Sequence, residues 1–243
     1  MVGVSDAIVW HDVENGGYDA DLPLWRELAR EAGGPILDLG AGTGRVALDL
    51  AEAGYDVTAL DSDQALLGEL ARRAAERDLD VGCISADARR FAAIGGYALV
   101  IAPMQFVQIM GGPSARSELL AAAVAALRRG GTFAAAIADL DEAVAVEDPE
   151  PPLPDVDQRG GWIYSSLPLD VRPEPGGVAV EWLRQKVSPA GTLTEERHTQ
   201  MLDSLDAGEF EREAARHGLI PVARHEVSPT PAYIGSTVIV CRL

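Results

Sequence analysis

From Pro35 to Ala138 short apolar runs alternate with helical periods, a rhythm that predicts a parallel sheet wound with helices. Ile36-Leu37-Asp38-Leu39 reads as a buried strand that stops at Gly40. Arg45 to Ala53 follows as a helix with Gly54 at its C-terminal end. Asp56 to Leu60 is the second strand, and Asp63 to Arg77 the second helix, with Ser62 or Asp63 as its N-cap. Val81 to Ser85 and Tyr97 to Pro103 are the third and fourth strands. Ser114 to Arg129 is an alanine-rich helix closed by Gly130-Gly131, and Thr132 to Ala138 is the fifth strand.

The rhythm then breaks. Residues 139–160 are acidic and proline-rich and read as a long loop. Strand-like runs follow near 162–169, 178–188 and 192–201, separated by PEPGG and SPAG turn signals. They predict antiparallel strands inserted before a last helix, Asp206 to His217, with strands near 219–227 and 235–242 ending the chain. Residues 1–34, carrying Trp10, Tyr18 and Trp25, read as a helical cap. The expected organisation is one domain over 1–243: a cap (1–34), a core (35–138), an acceptor-binding insert (139–205), and a C-terminal helix and strands (206–243).

Bulk properties narrow the function without naming it. A length of 243 residues suits one α/β domain and is short for two. Apolar runs are interrupted well before the roughly 18 residues a bilayer span needs, and no signal-peptide pattern opens the chain. A soluble, cytoplasmic protein is therefore expected. Cys83 and Cys241 lack the spacing of a zinc site and cannot build a disulfide framework. Twenty Lys and Arg against 38 Asp and Glu leave a formal charge of −18, and Lys186 is the only lysine. Such a surface repels phosphate backbones and anionic membranes, so the expected partner is a neutral or cationic small molecule, with neither nucleic acid nor membrane. Monomer and homodimer both remain open.

The strongest chemical signal is Asp38-Leu39-Gly40-Ala41-Gly42-Thr43-Gly44, between a strand and a helix. Glycines let the backbone turn tightly and approach a ligand closely, and the helix N-terminus favours negative groups. A dinucleotide site usually places its third glycine three residues after the second; here it comes after two. S-adenosylmethionine (SAM) has no pyrophosphate, but its α-amino group and ribose suit an acid and exposed carbonyls. Asp38 fits that ligand better than a dinucleotide. Asp61 ends the second strand 23 residues after Asp38, where a carboxylate faces ribose hydroxyls, though an acid there also suits a helix cap. Asp87 follows the third strand, where an adenine amine would lie.

From Ile36 to about Ala138 these motifs resemble the class I SAM-dependent methyltransferases. The resemblance implies a Rossmann-like seven-stranded sheet with helices on both faces, its final strand antiparallel, and SAM across the carboxyl ends of the first strands. It places Asp38, Gly40, Gly42 and Gly44 in the first motif, Asp61 with Ser62 at the ribose, Asp87 with Ala88 at the adenine, and Ala102 beside the cofactor. Met104, Gln105 and Phe106 fall in the segment after the fourth strand that touches cofactor and acceptor. The insert and the aromatic cap look like the small-molecule branch that tailors actinobacterial natural products. Relatives often close a Tyr-Asp pair over SAM; His11-Asp12 stands in its place, and Tyr18 is a second candidate.

Methyl transfer from a sulfonium is an in-line displacement in which the protein supplies position and a dry pocket. An amine acceptor needs little more, whereas a hydroxyl, acid or carbon acceptor benefits from a general base. His11, Tyr18 and His198 are the candidate bases, with Asp12 and Glu14 comparable. Met104, Gln105 and Phe106 with Trp162, Tyr164, Trp182 and Arg184 are the candidate acceptor wall, the insert aromatics reading equally as packing or as a lid over an apolar or aromatic acceptor. No acidic cluster announces a metal. The leading expectation is N-, O- or C-methylation of a small acceptor. A noncatalytic SAM-binding module and a nicotinamide-dependent oxidoreductase are the alternatives.

Overall fold

The computed structural model describes residues 5–92, 95–138, 140, 153–230 and 233–243. Two helices open it, α1 (Asp6–Asn15) and α2 (Leu22–Ala32). The core follows as β1 (Ile36–Leu39), α3 (Arg45–Glu52), β2 (Val57–Asp61), α4 (Gln64–Glu76), β3 (Val81–Ser85), β4 (Tyr97–Ala102), α5 (Pro113–Ala126) and β5 (Leu127–Ala138). Four antiparallel strands come next, β6 (Asp155–Arg159), β7 (Trp162–Glu174), β8 (Gly177–Val187) and β9 (Leu193–Asp203). Helix α6 (Ala207–Arg216) and strands β10 (Ile220–Val227) and β11 (Ser236–Arg242) complete the chain.

Seven strands form the main sheet in the order β10-β11-β5-β4-β1-β2-β3. β11 runs antiparallel to both β5 and β10, while β3, β2, β1, β4 and β5 are mutually parallel. This is the doubly covered α/β sheet that the alternating apolar runs predict. Successive residues of β1 feed opposite cores, as strand geometry requires. Ile36 joins Trp25, Leu28, Val46, Leu50 and Leu70 under α2, α3 and α4, whereas Leu37 and Leu39 join Leu119, Leu120, Phe133 and Phe210 under α5 and α6. Among the described residues no helix is long and apolar enough to cross a membrane.

Two local expectations need correction. The helix read to Arg129 ends at Ala126, and β5 starts at once: Leu127 has an extended ψ of 143° and pairs with Tyr97. A register shift between Tyr97 and Leu99 absorbs the change, and Gly130, at φ +70°, sits inside the strand run rather than behind a helix. The second correction lies within the segment read as a loop over 139–160. Residues 155–159 are a strand, β6, hydrogen-bonded to β7 across Gly160-Gly161. Both glycines have positive φ (+56° and +82°), as a two-residue hairpin turn demands. The polar stretch Asp157-Gln158-Arg159 hid an edge strand whose pairing comes from the backbone. Residues 139 and 141–152 of that loop lie outside the described residues.

The second sheet has the order β6-β7-β8-β9. One face turns toward α1, where Val9, Trp10 and Val13 pack on Tyr164. Trp10 and Tyr164 meet edge to face, centroids 5.3 Å apart at 82°, a favoured aromatic geometry.

Candidate active site

Strand order reverses between β1 and β4, which opens a crevice at their carboxyl ends. The turn leaving β1 holds Gly40, Gly42 and Gly44 at φ +68°, +55° and +95°, a left-handed region where side chains are strained. Gly40 and Ala41 donate their N–H groups to the Leu60 carbonyl at 2.8 and 3.0 Å, which seats the turn on the end of β2. Asp61 braces the same turn. Its Oδ2 accepts from the Gly42 N–H and its Oδ1 from the Asp63 N–H, both at 2.9 Å. Capping of α4 falls to Asp63, whose Oδ1 accepts from Ala65 and Leu66, so the acid at 61 stays at the crevice. Ser62 beside it is exposed.

Asp38 is 1% exposed, and its Oδ1 has no hydrogen-bond partner among the described residues. Burial above all pushes its carboxyl up to about 7; Arg45 draws it down, and Asp61 and Asp21 add to the rise. An unpaired buried carboxylate oxygen is costly, and a cationic group placed beside it relieves that cost. Arg45 is held elsewhere: Nη1 and Nη2 reach Asp21 at 2.5 and 2.9 Å, and Nη1 also donates to the Tyr18 carbonyl. Arg45 was not among the residues the motif singles out, although it follows the last glycine directly.

α1 lies over the turn. A Cβ built on Gly42 would stand 2.1 Å from His11 Nε2, and one on Gly40 would stand 2.2 Å from Phe106 Cδ2. His11 Nδ1 lies 3.3 Å from Thr43 Oγ1, which donates to Asp12 Oδ1 at 2.7 Å. With the threonine proton committed, Nδ1 is the donor and the Nε2 lone pair faces Gly42. Burial lowers the His11 pKa against the pull of Asp12 and Asp61, so the ring is neutral at pH 7. Asp12 also takes Arg73 Nη1 at 3.1 Å and Nη2, with Arg159 Nη2 at 2.8 Å.

One turn further along α1, Glu14 meets the second sheet. It accepts from Arg184 Nε and Nη2 at 2.7 Å and from Ser166 Oγ at 2.8 Å. Arg184 lies 5.5 Å above the Trp10 ring. Trp182 pairs across the strands with His198, ring centroids 6.0 Å apart, and burial and Arg184 lower the His198 pKa. Asp155 stands opposite Ser166 in the ladder; burial first, and then the Glu14 charge, raise its pKa. Tyr233 feels the Asp155 charge and donates weakly, at 3.5 Å, to the Glu14 carbonyl. Sequence reasoning missed Asp155, Ser166 and Tyr233, because only the β6–β7 register and the return of the chain after β10 bring them together.

Other expected residues have different surroundings. Tyr18 is 6% exposed, its ring tilted at 45° to Tyr233 with centroids 4.9 Å apart, under the Arg45 guanidinium and with its hydroxyl on Ser236. Tyr164 is buried against α1 and Trp162 lies beside that cluster under Lys186, so both aromatics join the insert to the cap. Asp87 turns to Arg89 (Oδ2 to Nη2, 2.6 Å), which with the Arg89 amide holds its carboxyl at about 2. Ala88 and Ala102 are buried, and Met104, with φ +54°, opens the turn after β4 beside Gln105 and Phe106. Gln108, unremarked in the sequence, fixes that turn: its side chain bonds both the N–H (2.9 Å) and the carbonyl (3.1 Å) of Ala138. Among the described residues no group of three or more His, Cys, Asp or Glu is arranged to hold a metal ion.

Residues 36–131 match the family model described as a methyltransferase domain. No curated protein matches the chain. Solved structures do. DesVI of Streptomyces venezuelae is 17% identical with a TM-score of 0.75, and 98% of each chain is covered. The sugar N-methyltransferase KedS8 from Streptoalloteichus is 17% identical, TM-score 0.74, with 100% of this chain and 95% of that one covered. CalS10, an amino pentose methyltransferase from Micromonospora echinaspora solved with SAM bound, is 17% identical, TM-score 0.73, with 100% and 99% covered. At such identity the likeness is one of fold.

Proposed function

We propose that this chain, a SAM-dependent methyltransferase, places the methyl group on a nitrogen of a small amine-bearing acceptor held between α1 and the second sheet. The observation that carries the cofactor reading is Asp38: a buried carboxylate with an unpartnered oxygen beneath a three-glycine turn. SAM, when bound, supplies an electrophilic methyl on a sulfonium. Asp38 offers its free oxygen to the α-ammonium group of that ligand, and Asp61, already on the turn, presents its carboxylate to the ribose. Both acids fit a cationic ligand and would repel the phosphates of a dinucleotide.

Nitrogen is favoured on the acceptor side by charge. Asp155 is half-buried, has no side-chain hydrogen bond or ion pair among the described residues, and is raised by burial and then by the Glu14 charge, so an ammonium entering beside it gains a carboxylate partner. That ammonium would have to yield a proton to Asp155 or to water before transfer, which frees the nitrogen lone pair that takes the methyl as the carbon–sulfur bond breaks; S-adenosylhomocysteine would be the leaving group and the product a methylated ammonium. The names of KedS8 and CalS10 point the same way, toward sugar nitrogen and amino pentose. A chain with charge −18 draws in cationic solutes.

The test is a turnover screen with SAM against amines, phenols, alcohols and carbon acids, reading S-adenosylhomocysteine and methylated product by mass spectrometry. Turnover confined to amines is expected. Turnover confined to phenols or carbon acids overturns the acceptor class, and calorimetric binding of NADH with none of SAM overturns the cofactor.

A further inference from the structure

The glycine turn is covered by the protein's own side chains. Nε2 of His11 lies 2.1 Å, and Cδ2 of Phe106 2.2 Å, from where a Cβ on Gly42 or Gly40 would stand. A lid closed over a bound cofactor stands off the turn by at least one layer of ligand atoms, about 3.5 Å at van der Waals contact. Here no such layer fits. The imidazole and the phenyl ring take the volume that glycines keep open.

The cover is latched. Asp12, next to His11, bridges three separate elements: Thr43 on the glycine turn, Arg73 on α4 and Arg159 at the end of β6. Arg73 is tied in turn to Glu69 (Nε to Oε1, 2.7 Å). A cavity of about 380 Å3, lined by Asp12, Gly16, Arg73, Glu76, Arg77 and Arg159, flanks the latch. Its ions exchange partners for water on opening, a far smaller cost than separating them in a dry core.

We propose that α1 is a self-inhibitory lid in which His11 occupies the cofactor cleft beside Phe106 and the Asp12 latch holds His11 there, so that the lid must open before the cofactor binds. This rests on the cleft being the SAM site. SAM then competes with an internal side chain, and its apparent affinity is the intrinsic affinity reduced by the fraction of open molecules. Groups facing His11 are Asp12 and Glu14 on its own helix, Asp61 at the end of β2, and Arg73 on α4.

Two variants test this. His11→Ala removes the ring; Asp12→Asn weakens the latch and leaves the ring intact. SAM binding is followed by stopped-flow fluorescence, with Trp10 on α1 as reporter, and by calorimetry. Wild type is expected to approach a plateau in observed rate as SAM rises, because opening becomes limiting. Both variants should raise or abolish that plateau and tighten the apparent Kd, by about tenfold for His11→Ala. Wild-type binding with a rate linear in SAM, matched by both variants, overturns the lid and leaves the cofactor reading standing. Weaker binding by His11→Ala at an unchanged plateau also overturns it, since the ring then serves the ligand. If wild type and His11→Ala both fail to bind SAM, the cofactor reading falls and takes the lid with it.

Discussion

Glu14 and Arg184 face each other through two parallel hydrogen bonds of 2.7 Å, joining residues 170 positions apart in the chain. Their side chains are 15% and 14% exposed, so the pair is largely withdrawn from water. Bidentate geometry and the Ser166 hydroxyl leave neither oxygen of Glu14 idle. Removing one partner strands the other's charge. Arg184→Met is therefore expected to lower stability by about 2–3 kcal/mol, and Glu14→Gln by a similar amount. The double variant should lose clearly less than the two single losses summed. Denaturant unfolding of the four proteins measures the coupling; strict additivity would mean that the bond contributes nothing.

Asp38 sets stability against function. Its folded pKa of about 7 lies above the unfolded value of 3.8, so between those limits the folded state binds the extra proton. Stability contributed at this position is therefore lost as pH rises from about 4 to 7, by at most about 4 kcal/mol. Asp38→Asn removes that term. The difference in melting temperature between variant and wild type should grow with pH across this window and level off above it, while the variant binds SAM only weakly. A difference independent of pH would show that the buried acid is ionised throughout.

Much of this was legible in the sequence because it is local. The strand, turn and helix around Asp38 to Gly44 follow from apolar period and glycine spacing, and the fold follows from repetition of that unit. The antiparallel insert was legible where apolar residues alternate, from Trp162 onward, and illegible at Asp157-Gln158-Arg159, where an edge strand shows no hydrophobic face. On the proposed acceptor side Glu14 and Arg184 were legible as candidates, but their meeting with Ser166 and Asp155 was not. Glu14, Ser166, Arg184 and Asp155 meet through the strand register and the placement of α1, and no spacing along the chain encodes either. His11 is intermediate: a pattern near the N-terminus points to the helix, but only the fold puts its ring on Gly42.

Asp61 and Asp63 separate the two readings of a strand-end acid. Asp63→Ala loses a helix cap, so about 1 kcal/mol of stability should go with SAM affinity unchanged. Asp61→Ala loses the brace on Gly42 and the carboxylate at the cleft, and affinity should fall by about 1–3 kcal/mol. Paired melting and calorimetry on both variants decide the matter. Equal behaviour of the two would reduce Asp61 to a structural role.

The pH dependence of cofactor binding tests the site most directly. In the ligand-free protein the Asp38 carboxyl is half-protonated near pH 7. A cationic α-amino group beside it favours the carboxylate, so binding releases a proton whenever Asp38 carries one. SAM affinity should accordingly rise with pH below 7, by up to about tenfold per unit, and flatten above it. The α-amino group itself titrates at about 7.7–8.0, outside that window. His11, with its pKa lowered below 6.5, titrates below Asp38, and in His11→Ala the same rise should persist. Asp38→Asn should bind weakly, with no slope between pH 6 and 7. Calorimetry in buffers of different ionisation enthalpy counts the proton released: close to one at pH 6 in the wild type, none in Asp38→Asn. Wild-type affinity that is level from pH 5.5 to 7, with no proton released, would leave Asp38 outside the cofactor site.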